Sequence, residues 1–456
     1  MARKMQSHAP FKADPSECSF LYPLRFTSTT RQNGIMKSKT TTHRRQITVL
    51  AFAVFGPMLI APQHLLAQAT HTSSDWAQTE GVSDNGDTLR DFQSRLRSSL
   101  FLLKGRPEME QPLKLSGHVT AESRTGIRRL RIRNFQILSD GGRETGEFEL
   151  GAGSWPSVVG ALGSAVAGDF LTQAAIRGVP IDELEVVFTS RPGRAPSQDG
   201  ERQVTYPRNL AYTVFIVSPA SDDELEKLRL EVERVSPVLK LVTESQSIDH
   251  GELIYTQTPA EREEKSLAGL REFLEDKYAS FEGAKPPESP TPRATRDPDD
   301  QRPPLRAHIK IEGGTGIRHI RTDLQNFQVI HDYPRYLAGH NLGPVPEEHI
   351  LGTMITCLTH IYEIEAAKKQ IPLDSLELEV EGSLTTHLGN VVHPPSYSDI
   401  HYTVHIGSPE PKEKIEELQR AVEAVCPIYN MLKDAQPVTG TIVRGPYTLE
   451  KEKDSQ

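Results

Sequence analysis

YTVFIVSPASDDELEKLRLEVERVSPVLKLV (212–242) and YTVHIGSPEPKEKIEELQRAVEAVCPIYNML (402–432) are two versions of one pattern. Each opens with alternating apolar residues and a Ser-Pro pair, continues as an amphipathic helical run, and ends with Ser or Cys before a Pro that starts a second short helix. The likeness extends outward. LGSAVAGDFLTQAAIRGVPIDELEVVF (162–188) aligns without gaps on MITCLTHIYEIEAAKKQIPLDSLELEV (354–380), Thr125-Gly126-Ile127-Arg128 recurs as Thr315-Gly316-Ile317-Arg318, and Asn134-Phe135-Gln136 recurs as Asn326-Phe327-Gln328. A nearly constant offset of 190 to 192 residues through all these blocks reads as one ancestral domain present twice.

In the second copy, LRAHIKIEG, NFQVIHD, SLELEVEGSL and HYTVHIG alternate as strands do. Pro346-Glu347-Glu348 makes a favourable first helical turn, because Pro lacks only an orphan N–H there and carboxylates suit the positive end of the dipole. From it, Ile350, Met354, Cys357, Ile361 and Ile364 form one helical stripe, which puts Cys357 on the buried face. The class is α+β. Residues 282–304, dense in Pro and charge, read as a solvated linker, and 258–281 as an amphipathic helix closing the first copy, with Thr258 as cap and Pro259 in its first turn. Within 70–110, a polar segment, SRLRSSLFLLKG suggests one short helix.

The N-terminal region is expected to be processed. Residues 1–35 read as a leader or a mis-assigned start. Residues 36–69 have the form of a signal peptide, with a basic opening, an apolar run from Ile47 to Ala61 and the small-x-small site Ala67-Gln68-Ala69, so cleavage after Ala69 and a periplasmic or secreted protein are expected. The first 69 residues hold nine Lys or Arg and two Asp or Glu, so the remainder carries a net charge of −16 against −9 for the whole chain. That excludes nucleic acid and anionic membrane as expected partners.

Of three cysteines, only Cys357 and Cys426 lie beyond the signal segment. Cys426 precedes a helix opened by Pro427, where the dipole is expected to lower a thiol pKa. Their separation of 69 residues suits neither a CxxC motif nor a zinc knuckle. The sixteen histidines contain no HExxH pattern, so neither a metal nor a cofactor is expected, and His360 reads as a structural residue.

Glu347 ten residues before Cys357, the stretch Gly339-His340-Asn341-Leu342-Gly343-Pro344, and Val425-Cys426-Pro427 together resemble the OsmC/Ohr family of thiol-dependent peroxidases. The resemblance covers residues 305–447, with 448–456 as a tail. It implies that Cys357 is the peroxidatic thiolate and Cys426 the resolving thiol, that either Arg318 or Arg321 holds the thiolate, and that Glu347 orients that arginine. Implied partners are a hydroperoxide and a dithiol reductant. Residues 111–281 are then a degenerate second domain of this type, with Ala165, Ser236 and Trp155 at the places of Cys357, Cys426 and Glu347, and only Arg128 kept opposite Arg318. The implied architecture is two OsmC-like domains, antiparallel sheets with long central helices, paired as an intrachain pseudo-dimer that may itself oligomerise. The competing expectation is a secreted, non-enzymatic protein of the same fold, with Cys357 and Cys426 joined in a structural disulfide and an apolar ligand bound.

Overall fold

The chain runs twice through the same order of elements. The structure, a computed structural model, describes residues 88–143, 146–194, 204–248, 250–261, 269–283, 304–322 and 327–451. The expected leader, the signal peptide and most of the linker fall outside these residues. The first run is α1 (Leu89–Leu103), β1 (Leu113–Ala121), β2 (Arg128–Ile132), β3 (Phe135–Ser139), α2 (Ser154–Arg177), β4 (Glu183–Arg194), β5 (Thr205–Val217), α3 (Asp222–Val235), α4 (Pro237–Thr243) and β6 (Glu252–Gln257). The second is α5 (Leu270–Gly283), β7 (Leu305–Ile311), β8 (Arg318–Thr322), β9 (Gln328–His331), α6 (Pro346–Lys368), β10 (Ser375–Leu384), β11 (Tyr397–Ser408), α7 (Lys412–Val425), α8 (Pro427–Lys433) and β12 (Val438–Arg444).

Neither run builds a sheet alone. One six-stranded sheet has the order β3-β2-β1-β10-β11-β6, and the other β12-β5-β4-β7-β8-β9. The joins are antiparallel, β1 on β10 with Val119 opposite Leu378, and β4 on β7 with Val186 opposite Ile309. Each N-terminal meander therefore completes the hairpin of the other half. Strands β6 and β12 add at the edges in parallel, β6 along β11 and β12 along β5. The alternation along β1, β4, β7 and β10 sends apolar residues inward to α2 and α6, which pack on each other between the sheets. Because α2 and α6 are enclosed by sheet and helix, both are apolar around most of their circumference; α2 has the length and hydropathy of a membrane span but lies in this core.

The start of α6 is as the sequence suggests, with Pro346 at its first position and Glu347 and Glu348 in the first turn. The helix expected to begin at Thr258 does not. The Thr258 amide instead donates to Ser408 O at 3.0 Å, prolonging the β6 ladder, and its hydroxyl bonds Asp374; the helix starts at Leu270. That helix begins Leu-Arg-Glu-Phe (270–273), just as α1 begins Leu-Arg-Asp-Phe (89–92), so α5 is the counterpart of α1 and precedes the second run rather than closing the first.

The two helices are seated alike. Gly126 and Gly316, both with φ in the left-handed region at +62° and +70°, leave room for a ring: a Cβ on Gly126 would lie 2.0 Å from Phe273 of α5, and one on Gly316 2.3 Å from Phe92 of α1. Replacing Gly316 by Ala combines backbone strain with a steric overlap and should cost about 2–5 kcal/mol in urea unfolding. Gly105→Ala, at φ +77° with nothing within 4 Å of the new Cβ, should cost only the strain, about 1–2 kcal/mol. Equal losses would show that α1 is not held against Gly316.

Candidate active site

Cys357 lies midway along α6, and Cys426 is the residue at which α7 ends and α8 begins. Its amide bonds Val422 O at 2.9 Å while its carbonyl accepts from the Asn430 amide at 3.1 Å, so the backbone at Cys426 is fixed from both sides. Both thiols are free and buried, Cys357 4 % exposed and Cys426 0 %. They meet, Cys426 hydrogen-bonding the Cys357 sulfur. The Ile428 amide at the start of α8 bonds the same sulfur, and Ser154, the first residue of α2, lies near it with a buried hydroxyl that has no hydrogen-bond partner.

The cation beside this pair is Arg128. Its guanidinium is fully buried, pairs with Glu147 from the loop ahead of α2, and bonds Glu363 of α6 at 2.8 Å. Lys277 of α5, also fully buried, lies 3.3 Å from Glu147, with its ammonium 5.1 Å from the Phe273 ring centroid. His360 is 3.0 Å from Glu147. Desolvation and the Arg128 charge press His360 down to about 4, so at neutral pH it meets Glu147 as neutral imidazole.

Burial alone would raise the Cys357 thiol. The hydrogen bonds from Cys426 and Ile428, the nearby Ser154 hydroxyl and the charge of Arg128 outweigh burial and hold it below the usual thiol value. Burial and the adjacent Cys357 sulfur push Cys426 well above that value, the reverse of the sequence expectation, because the helix-start amide of Ile428 serves Cys357 as well and the thiol beside an ionised sulfur keeps its proton. Burial also raises Glu363 to about 8, whereas His360, then Arg128 and Lys277, outweigh burial and hold Glu147 well below the carboxylate range. With Glu363 protonated, Arg128 and Lys277 balance Glu147 and one thiolate, so the cluster is neutral when Cys357 is ionised.

Arg318 and Glu347, expected beside Cys357, lie elsewhere. Arg318 is 2 % exposed and reaches Gly168 of α2, where a Cβ would sit 2.0 Å from Nη1; its guanidinium lies 4.4 Å from the Tyr333 ring centroid. Together with Ala165, Asp169, Tyr333, Glu347 and Leu388, Arg318 lines a cavity of about 190 Å³. Burial raises Asp169 to about 7, with Ser236 bonding it and Arg318 opposing the rise, and burial together with Asp169 raises Glu347 to about 8. Arg321 is on the opposite face of β8, next to Gln328. Ile350, Leu351 and Met354 are core residues, and none borders this cavity.

The physical reason for the separation is strand exchange. Because β7 and β8 join the sheet of the first run, Arg318 is delivered to α2, and β1 and β2 deliver Arg128 to α6. The start of each central helix likewise reaches the other: Ser154 of α2 to Cys357, and Glu347 of α6 to the Asp169 side of α2. The arginine, carboxylates and lysine that the sequence reading did not place at the thiols are Arg128, Glu147, Glu363 and Lys277. The repeated Thr-Gly-Ile-Arg marks Arg128, but nothing in the local sequence marks Glu147, whose aligned position in the second run is Gly339.

Residues 339–440 match the family model described as OsmC-like protein. Among solved structures, the chain is similar to an organic hydroperoxide resistance protein OsmC from Legionella pneumophila, at 18 % identity over 31 % of this chain and 96 % of that one, with a TM-score of 0.23. It is also similar to an OsmC like protein from Mycoplasma pneumoniae, at 15 % identity over 30 % of this chain and 87 % of that one, with a TM-score of 0.22. No curated protein matches the chain.

Removing Arg128 should raise the Cys357 titration, read as thiolate absorbance against pH, whereas Arg318→Met should leave it in place. Arg128→Met should also cost about 3–5 kcal/mol, because Glu147 and Glu363 lose their partner. An unmoved thiol in a folded Arg128→Met chain would remove Arg128 from the site. Asp169, Glu347 and Glu363 all titrate higher folded, near 7 to 8, than the roughly 4 of an unfolded chain, so their contribution is full below about pH 4 and is lost as pH rises through 7 to 8. Thermal unfolding should therefore occur at lower temperature at pH 8 than at pH 5, and Glu347→Gln should flatten the difference.

Proposed function

We propose that this protein is an exported, cysteine-based reductase of organic hydroperoxides that works at the Cys357–Cys426 pair, and that its halves are one duplicated domain folded as an intrachain pseudo-dimer. The single observation that carries the reading is the asymmetry of two touching, buried thiols, Cys357 held low and Cys426 held high beside the Arg128 guanidinium. A nucleophile and a protonated reserve thiol are what a peroxide requires in succession.

The Cys357 thiolate attacks the distal oxygen of ROOH. The O–O bond breaks, the alkoxide takes one proton and leaves as ROH, and Cys357 becomes a sulfenic acid. Cys426 then attacks that sulfur, the S–S bond forms, and the hydroxyl leaves with the Cys426 proton as water. A dithiol reductant restores both thiols by exchange. Arg128 stabilises the thiolate and the developing negative charge on oxygen, and Glu147 with Glu363 fixes its orientation.

Duplication is supported by the shared element order, the aligned blocks and the Leu-Arg-[Asp/Glu]-Phe starts of α1 and α5. These make the repeat units α1 to β6 and α5 to β12. Export is supported by the basic, apolar and Ala-Gln-Ala segments of residues 36–69. An exported site must draw its electrons from a dithiol donor outside the cytoplasm.

Single-turnover reaction of the reduced protein with cumene hydroperoxide tests the proposal. Both thiols should disappear together; Cys357→Ser should abolish the reaction; and Cys426→Ser should leave one turnover ending in a sulfenic acid that dimedone traps. Arg128→Lys should slow the first step by about 10²-fold, while Arg318→Lys should change it little. A wild-type rate no faster than that of free cysteine would overturn the reading.

A further inference from the structure

The Arg318 cavity occupies the position related to the thiol site but lacks both sulfurs, since Ala165 and Ser236 stand in their places. It is nevertheless a built site. Arg318 is almost wholly buried, yet its Nε and Nη2 have no hydrogen-bond partner, and Asp169 Oδ2 has none either. Leaving such donors unmet in a protein interior is costly, and a guanidinium held in place by an aromatic ring and a glycine is not there by accident of packing. Nε and Nη2 form one edge of the guanidinium, the edge that meets the two oxygens of a carboxylate in parallel.

We propose that this cavity is a binding site for a small organic carboxylate, held by the Arg318 guanidinium with its hydrocarbon part against Leu337, Leu388 and Val391. Glu347, raised by burial to about 8, meets the ligand as a hydrogen-bond donor, and Asp169, raised to about 7, takes up a proton to do the same. A multiply charged oxyanion such as phosphate fits poorly, because it would ionise beside two carboxyl groups and a single cation. The arginines at the rim, Arg177 and Arg234, are already paired with Glu231, at 2.7 Å and 2.6 Å, so selection rests on Arg318. No sulfur takes part, and the site stands or falls independently of the peroxide reaction.

The test is calorimetric titration of the purified protein with hexanoate and with hexanamide, which has the same shape and no charge. Hexanoate should saturate a single site and hexanamide should bind at least about tenfold more weakly, the margin expected for losing a charged hydrogen-bond pair. Arg318→Gln should lower hexanoate affinity by a similar factor. Ala165→Leu, which fills the cavity from α2 and leaves the arginine intact, should abolish binding and decides the matter if Arg318→Gln does not fold by circular dichroism. Cys357→Ser should bind hexanoate as the wild type does. Absence of saturable binding, equal binding of acid and amide, or binding that survives Ala165→Leu would overturn the proposal.

Discussion

The pairings of β1 with β10 and β4 with β7 are the constraint on which the rest of the molecule depends. Each is an antiparallel ladder between the two halves, and each fixes which side-chain face looks inward along an entire strand, since a slip by one residue would turn every apolar residue outward. Through them the central helices acquire their sheets, and the arginine at the start of β2 or β8 is carried across to the helix of the other half. Take away either ladder and the chain loses half a sheet and one cluster of buried charge together.

Those buried charges are held in two different ways. On the thiol side, two cations and two carboxylates form one buried cluster, with Glu363 protonated so that the total is neutral when the sulfur is ionised. Around Arg318, one cation faces two acids near a cavity, and burial raises those acids to about 7 and about 8. The same order of elements therefore encloses a buried thiol pair on one side and a buried arginine beside two raised carboxyl groups on the other. The difference follows from a few residues: Cys or Ala on the central helix, Cys or Ser at the helix junction, and the carboxylate's origin in a loop at Glu147 or a helix start at Glu347.

Local signals in the sequence were sufficient for much of this. Pro346-Glu347-Glu348 marks the start of α6, the stripe through Met354 and Cys357 marks its buried face, and Val425-Cys426-Pro427 marks the joint between α7 and α8. What local pattern cannot carry is partnership. The alignment of Arg318 with Arg128 says that both arginines have the same role but not which helix each one serves, because that is decided by strand pairing between residues more than 110 apart. Strands β6 and β12 were equally hidden, being short, half-exposed edges whose order comes from a parallel neighbour and not from their own alternation. The boundary of α5 was misplaced for the same reason: Thr258 has the chemistry of a cap, but a ladder bond to Ser408 claims its amide first.

A feature as simple as the covalent continuity of the two halves has a bearing on how such a site can change over time. In an assembly of two identical chains, every substitution is written at both symmetry-related positions, so the loss of a sulfur at one would silence the other as well. Here Ala165 and Cys357 occupy corresponding places in a single chain, and each can vary without a copy of itself appearing across the axis. Joining the halves releases the molecule from obligatory symmetry, so the surroundings of Ala165 and of Cys357 are free to differ.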